Sequence, residues 1–241
     1  MVGWLKAHIY SIRDFVRRKL TIFSMSPDCY QRYKFVSDIL LKEGCETVLD
    51  VGGGSWRFFK RFLPNTKSLT VDIEGGNIIG SGTSLPFEKN SFDAVTALET
   101  LEHVEKKDRK KFIQELIRVA KKCVIISVPL DDPILRLAEW EYNLLHRSMF
   151  GKGNRWLEEH AENGLPTRRE MYVFLNGYSV ETYSICNLSR WKKMLMLGIV
   201  LQKVRLWFFL PLINFIYIML YGPDSEEPTY TKIFFVKDVN R

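Results

Sequence analysis

The sequence predicts an α/β domain built on a parallel sheet. Short apolar runs of strand length, bounded by glycine or polar residues, lie at 48–51, 69–71 and 94–98. Amphipathic helical segments at 27–42 and 107–122 lie before and after these runs. Strands that alternate with helices in this way are typical of a parallel sheet covered by helices on both faces.

A glycine-rich turn follows the first of these strands, in the stretch Thr47 to Lys60. Its three glycines, 52–54, break the strand, and a helix is expected to start near Trp56. A strand, a glycine turn and a helix place free backbone N–H groups where a ligand can approach without meeting a Cβ atom. We therefore expect a ligand site at this turn.

An acidic residue, Asp72, ends the second strand about twenty residues later. In α/β nucleotide folds a carboxylate at this place holds ribose hydroxyls. Gly52, Gly54 and Asp72 together therefore predict a nucleoside pocket. A dinucleotide fingerprint requires a third glycine where this sequence has Arg57, which argues against NAD.

The same segment resembles motif I of the class I S-adenosylmethionine (SAM) methyltransferases, in which an acid, here Asp50, precedes G-x-G. Asp72 matches the ribose-binding acid of that family. Residues 82–104, GTSLPFEKNSFDAVTALETLEHV, resemble the L-P-F, S-F-D and L-E-H-V signature of the type 11 branch, and 123–129 match its fifth strand. The resemblance covers roughly residues 28 to 130.

The resemblance implies a doubly wound, seven-stranded and mostly parallel Rossmann-like sheet with helical insertions, and SAM as the cofactor. Many relatives bind the adenine amine with an aspartate where this chain has Ser81, so the backbone at Ser84 and Leu85 is expected to replace it. The implied cofactor-binding residues are Asp50, Gly52, Gly53, Gly54, Arg57, Asp72, Ile73, Ser84, Leu85 and Leu98.

Length and composition indicate one folded domain. The chain has 241 residues and a net charge of +7, which suits anionic partners such as phospholipid surfaces, phosphorylated substrates or nucleic acid and selects none of them. Its four cysteines are scattered without a C-x-x-C pair, as expected in a reducing cytosol. We see no secretory signal at the N-terminus, and a cytoplasmic location is expected.

The N-terminal segment 1–25 is predicted to lie outside the main domain, 26–241. Residues 3–20 have the spacing of an amphipathic helix with a basic side. Such a helix either packs on the sheet or lies on a membrane surface with its cations toward anionic headgroups.

Beyond residue 130 the sequence leaves the shared core. The segment 130–168 is predicted as a helix followed by a polar loop, and it is expected to help form the acceptor pocket. His103, after the fourth strand, and His160, in the loop, are candidate catalytic bases, with structural roles as the alternative. No spacing matches a zinc or two-carboxylate site, so no metal is predicted.

An apolar insertion at about 190–222 precedes the last predicted strand. Its hydrophobic part, 194–221, is divided into two pieces by Gln202, Lys203 and Arg205, and the second piece is interrupted by Pro211 and Asn214. Neither piece reaches the roughly eighteen to twenty clean apolar residues that a spanning helix needs. It is expected to form a re-entrant hairpin, to lie in a membrane interface as a helix pair, or to cover the protein's own core or a homodimer partner.

These features predict a SAM-dependent methyltransferase acting on a small-molecule, saccharide or lipid-linked acceptor, at a membrane surface contacted through 3–20 and 194–221. The oligomeric state and the acceptor atom stay open. Two alternatives are a non-catalytic SAM-fold scaffold and a nucleic-acid methyltransferase. No nucleic-acid partner is expected, because no appended RNA-binding domain or motif for a flipped base is present.

Overall fold

The structure, a computed structural model, describes residues 25–222 and 224–240. The predicted amphipathic helix 3–20 lies outside the described residues. The division into 1–25 and 26–241 stays a prediction.

A single seven-stranded sheet forms the centre of the described chain, with strand order β3-β2-β1-β4-β5-β7-β6. Strands β1 to β5 are parallel to one another, and β7 pairs antiparallel with both β5 and β6. The predicted fold class is confirmed. The strands are β1 Thr47–Val51, β2 Lys67–Asp72, β3 Ile78–Ile79, β4 Phe92–Leu98, β5 Ala120–Val128, β6 Ser179–Asn187 and β7 Thr229–Lys237.

Helices cover both faces of this sheet. Their bounds are α1 Pro27–Lys42, α2 Phe59–Phe62, α3 Arg109–Val119, α4 Pro133–Phe150, α5 Arg155–Asn163, α6 Arg168–Phe174, α7 Leu188–Lys203 and α8 Leu210–Tyr221, with 3₁₀ turns at Gly54–Trp56, Leu101–His103 and Trp207–Phe209.

Strand β1 shows how the two cores arise. Val48 packs in the cluster that includes Leu40 of α1, whereas the next residue, Leu49, packs in the cluster that includes Leu116 of α3. Successive side chains of a strand point to opposite faces, so a fully apolar strand supplies both cores at once. All these residues are buried.

The prediction of a polar loop after α4 is wrong over Arg155–Asn163, because these residues form α5. Asn154 caps this helix by accepting the N–H groups of Trp156 and Leu157, and Leu157 and His160 form its buried side. A short helix of this kind is stabilised by its cap and by packing rather than by its own propensity.

Two helix predictions need correction as well. The helix expected from Trp56 is only a 3₁₀ turn followed by the four-residue α2. The helix expected over 107–122 is shorter because Ala120 already begins β5. Helix α6 begins with a capping box, in which the Thr167 side chain accepts the N–H of Glu170 and the Glu170 side chain accepts the N–H of Thr167.

The apolar insertion forms α7, a 3₁₀ turn and α8, and the chain then returns to the sheet as β7 beside β6. Among the helices of residues 25–222 and 224–240, none combines the length and the apolar character that crossing a membrane requires. Helix α7 packs on α4, so part of this apolar insertion covers the earlier insertion at 130–168.

Candidate functional site

Close packing inside the protein requires glycine at the turn after β1. Gly52 has φ +83°, and a Cβ atom on it would lie 2.3 Å from the side chain of Thr100. A Cβ on Gly53 would lie 2.1 Å from Oδ2 of Asp50. Both separations are far below van der Waals contact, so only glycine allows this turn to lie against the ends of β1 and β4.

The N–H groups of this turn are partly used by the protein itself. Gly52 donates to the carbonyl of Val71 at 2.8 Å, and Gly54 donates to Oδ2 of Asp72 at 3.0 Å. The expectation of free N–H groups is therefore wrong at these two positions. A Cβ on Gly54 would meet only the Trp56 ring, at 3.9 Å, so Gly54 is the glycine that leaves open space.

Asp72 lies at the end of β2 and links the glycine turn to the next loop. Its Oδ1 accepts the N–H of Glu74 at 2.8 Å, while Oδ2 accepts the N–H of Gly54. A carboxylate offers about four lone-pair positions, so Asp72 retains capacity for further donors. Its side chain is half-buried and lines the cavity described below.

Asp50 supports the turn from behind. Its carboxylate is buried and accepts the hydroxyl groups of Tyr33 at 3.0 Å and Thr96 at 2.9 Å. Burial raises the pKa of Asp50 to about 6, although the hydrogen bonds from Thr96 and Tyr33 oppose the shift. Asp50 is absent from the cavity lining and contacts the turn at Gly53.

One large cavity opens beyond the carboxyl ends of β1, β2 and β4, the edge where open α/β sheets bind ligands. Its volume is about 1080 Å³, whereas pockets for one drug-sized ligand hold roughly 300–1,000 Å³. The cavity is therefore slightly larger than the upper end of the range for one such ligand. We call the part lined by 51–56, 71–75 and 80–83 the nucleoside end. The acceptor end is the part lined by residues 99, 100, 102–104, 108, 142, 154–157, 159, 160, 163, 191 and 230.

Two histidines approach each other at the acceptor end. Nδ1 of His103 lies 3.0 Å from Oε2 of Glu159, and Nδ1 of His160 lies 2.9 Å from Oε1 of Glu139. The two imidazole rings are 4.9 Å apart, measured between centroids. Although α5 carries His160 and β4 leads into His103, the fold brings both candidate bases to one place.

A buried network fixes Glu139 behind this pair. The hydroxyl of Tyr230 donates to Oε1 of Glu139 at 2.8 Å, and the ring of Trp191 stacks on Tyr230 with centroids 3.9 Å apart. Because Tyr230 lies on β7 and Trp191 on α7, the apolar insertion and the last strand both support the acceptor end. No local pattern in the sequence indicated either residue.

Glu99 holds the end of β4 in a strained conformation. Its φ is +53°, in the left-handed region, and its carboxylate accepts the hydroxyls of Thr231 at 2.9 Å and Ser127 at 3.3 Å. The guanidinium of Arg32 lies 3.8 Å away. Strain of this kind is found at functional sites, where the surroundings hold it in place.

The acceptor end holds more carboxylates than cations. Burial raises the pKa of Glu99, opposed by Arg32, and burial together with the charge of Glu99 raises the pKa of Glu102 well above its usual range. Burial and the neighbouring His160 lower the pKa of His103 to about 4. His103 is therefore neutral at pH 7, with an unprotonated ring nitrogen.

The backbone N–H groups expected to contact adenine form hydrogen bonds within the protein. The N–H of Ser84 donates to the carbonyl of Ser81 at 3.1 Å, and the N–H of Leu85 donates to Oε2 of Glu115 at 2.8 Å. Both N–H groups are therefore unavailable in this conformation. The part of the loop that reaches the cavity is 80–83.

The other predicted cofactor residues divide into two groups. Ile73 lines the nucleoside end, as the three glycines and Asp72 do. Arg57 and Leu98 are absent from the lining, because Arg57 reaches the carbonyl of Gly76 at 3.5 Å and Leu98 is buried in the core. Contact of any of these residues with a cofactor stays a prediction.

The part of the chain that carries the glycine turn and β4 also matches a known family. Residues 49–127 match the family model of the methyltransferase domain. This segment is a methyltransferase domain. It contains the glycine turn, Asp72, β4 and the 3₁₀ turn that carries Glu102 and His103.

Solved methyltransferase structures have the same fold. The methyltransferase domain of bacterial CtHen1-C superposes with a TM-score of 0.52 at 18% identity, covering 86% of this chain and 96% of that one. The magnesium protoporphyrin IX methyltransferase ChlM of Synechocystis PCC 6803, with bound SAH, gives a TM-score of 0.51 at 14% identity, covering 86% and 82%. At such identities the likeness shows the fold.

A curated relative matches only a short segment. Norajmaline N-methyltransferase of Rauvolfia serpentina is 45% identical over 42 residues, which are 17% of this chain and 14% of that protein. The matched segment thus spans about a seventh of the relative's length. The predicted recognition as a class I SAM-dependent methyltransferase of the type 11 branch is confirmed for this domain, together with the enzyme class and SAM as its cofactor.

The nucleoside end fits SAM in two respects. Gly54 leaves open space where any other residue would project a Cβ, and Asp72 keeps free lone pairs for a pair of hydroxyls. These are the features that a ribose at the end of β2 requires.

Proposed function

We propose that this chain transfers the methyl group of SAM to a small-molecule, saccharide or lipid-linked acceptor. One observation carries the proposal: a single cavity joins the glycine turn and Asp72 to a cluster of polar and aromatic side chains from the two insertions. A cofactor held at the nucleoside end would extend toward an acceptor held at the other.

The residues of the nucleoside end bind and orient the cofactor. Asp72 accepts the ribose hydroxyls, the open face of Gly54 admits the ligand close to the backbone, and 80–83 border the adenine. SAM supplies a methyl group already activated by its sulfonium charge. The protein therefore has to align the acceptor atom about 3 Å from that methyl group and exclude water.

The residues of the acceptor end hold and deprotonate the acceptor. Trp156 lies edge-on to His103 with centroids 5.2 Å apart and offers an apolar wall, while Asn163 and Glu159 add polar groups. A nitrogen acceptor loses its proton after transfer and needs only desolvation. For an oxygen acceptor, the neutral imidazole of His103 is the base within the cavity.

Calorimetry with SAM and its demethylated product tests the cofactor half of the proposal. We expect micromolar binding by the wild type and a loss of about 10- to 100-fold in Asp72→Ala, since hydrogen bonds to a charged group contribute about 1.5–3 kcal/mol. Asp38→Asn, an exposed acid on α1, is the matched control. Equal binding by wild type and Asp72→Ala would remove Asp72 from the site.

Transfer of a tritiated methyl group from SAM tests the acceptor half. Pools of small molecules, saccharides, lipid extracts and RNA are incubated separately with the full chain, and labelled product is identified by mass. Labelling in the first three pools supports the proposal, and labelling of RNA alone overturns its acceptor class. Tight SAM binding with no transfer to any pool would favour the scaffold alternative.

The location proposed for this reaction is a membrane surface. Helix α8 and the turn before it contain no charged residue from Leu206 to Tyr221, and Phe208, Met219 and Leu220 are 55%, 70% and 69% exposed. Lys203 and Arg205 lie just before this apolar surface, as cations do at anionic headgroups. An exposed apolar surface of this kind favours lipid contact over solvent.

Co-flotation with vesicles in which about one third of the lipid is anionic tests the proposed membrane location. The double substitution of Met219 and Leu220 to Asp should abolish co-flotation at low salt. The matched control places Asp at Tyr172 and Val173, two adjacent exposed residues of α6 that are 54% and 62% exposed. Failure of the folded wild type to float, or equal loss in both double variants, would refute the membrane contact.

A further inference from the structure

Three side chains at the acceptor end are close enough to hold a metal ion. Glu102, His103 and His160 each offer a ligand atom, and these atoms all lie within 4.8 Å of one another. Glu102 and His103 belong to the 3₁₀ turn after β4, and His160 belongs to α5. All three line the cavity beside the nucleoside end.

Two atoms of this cluster are buried without a hydrogen-bond partner. They are Nε2 of His160 and Oε2 of Glu102, whose residues are 5% and 1% exposed. Leaving a buried polar atom unsatisfied costs about 1–3 kcal/mol, and folded proteins rarely tolerate it without a reason. A shared ligand between the two atoms would satisfy both.

The orientation of both imidazoles also suits a metal. Nδ1 of His103 is held by Glu159 and Nδ1 of His160 by Glu139, so each ring donates its Nδ1–H to a carboxylate and leaves the Nε2 lone pair for a ligand. Histidines that bind metals almost always have such a carboxylate or carbonyl partner, which fixes the ring and makes it more basic. The hydroxyl of Tyr230 then fixes Glu139 in turn.

We propose that Glu102, His103 and His160 form a binding site for one first-row divalent metal ion, such as Mn²⁺, Fe²⁺, Co²⁺ or Zn²⁺. Two imidazole nitrogens and one carboxylate favour these ions over Mg²⁺ and Ca²⁺, which prefer ligand sets made of oxygen. Three protein ligands leave coordination positions open to the cavity. The sequence predicted no metal, because the two histidines are far apart in the chain and only α5 brings them together.

The site also bears on the acceptor, and this consequence rests on the proposed function. An acceptor hydroxyl bound to such an ion would be more acidic than in bulk water and would release its proton to solvent, so that His103 acts as a ligand of the ion and not as the base. The resulting oxygen forms the bond to the methyl carbon as the bond from that carbon to sulfur breaks, and its electron pair stays on the neutral sulfur. The site therefore favours oxygen over nitrogen acceptors.

Electron paramagnetic resonance with Mn²⁺ tests the site in the absence of SAM and acceptor. The full chain, first stripped with a chelator, is titrated with MnCl₂, and the loss of the free Mn²⁺ signal gives the stoichiometry. We expect one ion per chain at micromolar affinity, and nitrogen couplings from two imidazoles in the pulsed spectrum. Absence of binding below about 1 mM, the range of weak oxygen sites, would overturn the proposal.

Variants identify the ligands. His103→Ala and the near-isosteric Glu102→Gln should each weaken Mn²⁺ binding at least tenfold, and His103→Ala should remove one nitrogen coupling. His146→Ala, on α4, is the matched control, because Nδ1 of His146 hydrogen-bonds the carbonyl of Lys152 and His146 lies outside the cavity lining. Unchanged binding in folded Glu102→Gln and His103→Ala would overturn the assignment. Metal binding without methyl transfer would leave this site standing and reject the proposed function.

Discussion

The two ends of the cavity are built in different ways. At the nucleoside end the backbone makes the site, since a glycine turn packs directly on Thr100 and Asp50 and one carboxylate joins it to the next strand. At the acceptor end side chains make the site, and they come from the segment after β4 and from α4, α5, α7 and β7. We therefore expect substitutions at the nucleoside end to act through backbone strain, and substitutions at the acceptor end to act through side-chain networks.

The largest effect is expected for Gly52→Ala. A left-handed φ costs an alanine about 1–2 kcal/mol, and the overlap with Thr100 adds about 1–3 kcal/mol more. Unfolding in urea should therefore show a loss of about 2–5 kcal/mol. Gly151→Ala is the matched control, because its φ is +75° and no atom lies within 4 Å of an added Cβ. Equal losses of unfolding free energy in both variants would show that packing against Thr100 does not restrict Gly52.

The ionisation of Asp50 should make the nucleoside end sensitive to pH. Its pKa is raised by burial to about 6 in the folded protein and is about 3.9 when unfolded, so its stabilising contribution is complete below about pH 4 and is lost as pH rises through 6. From this group alone, unfolding free energy should fall by up to about 3 kcal/mol between pH 4 and pH 7.

Asp50→Asn should remove that part of the pH dependence, and urea unfolding at several pH values measures the difference. The expected sign is a smaller fall in stability between pH 4 and pH 7 in the variant than in the wild type. Superimposable pH profiles for the two proteins would show that Asp50 does not titrate in this range.

A moderate effect is expected for Tyr230→Phe at the acceptor end. The change removes the hydrogen bond to the buried Glu139, which keeps His160 as a partner, and should cost about 1–2 kcal/mol of unfolding free energy. SAM binding measured by calorimetry should be unchanged, because the nucleoside end makes no use of this network. A parallel loss of SAM affinity would mean that the two ends are coupled.

The smallest effect is expected for Thr167→Ala, which removes the capping box of α6. Loss of a cap of this kind costs about 1 kcal/mol, which urea unfolding resolves. Ser148→Ala, an exposed residue inside α4, is the control and should change stability by less than about 0.5 kcal/mol. Thr167 lies outside the cavity lining, so both proteins should bind SAM equally.

Sequence patterns predicted most of the nucleoside end because its signals are local. Gly52, Gly54 and Asp72 fall at fixed distances along a strand, turn and strand, and the structure places all three in the cavity lining. Sequence patterns do not show which groups other contacts occupy: the N–H groups of Ser84 and Leu85 are hydrogen-bonded to Ser81 and Glu115. Hydrogen-bond partners of a loop depend on what packs against it, which a pattern does not contain.

The insertions were predicted less well for the same reason. The loop prediction missed α5, because a short polar helix is stabilised by Asn154 and by burial of Leu157 against its neighbours. The sequence did not indicate that Tyr230 and Trp191 belong to the acceptor end, since a tyrosine on a strand and a tryptophan on a helix are most often core residues.

The sequence by itself determined the fold class, the glycine turn and the acid after β2, because hydrophobic period and glycine geometry act over a few neighbouring residues. Only the tertiary structure decided that Glu102, His103 and His160 meet, and that Glu139 and Glu159 hold the two histidines. Those distances depend on how α4, α5 and β7 pack on the sheet. Packing is a property of the whole chain, and no segment encodes it alone.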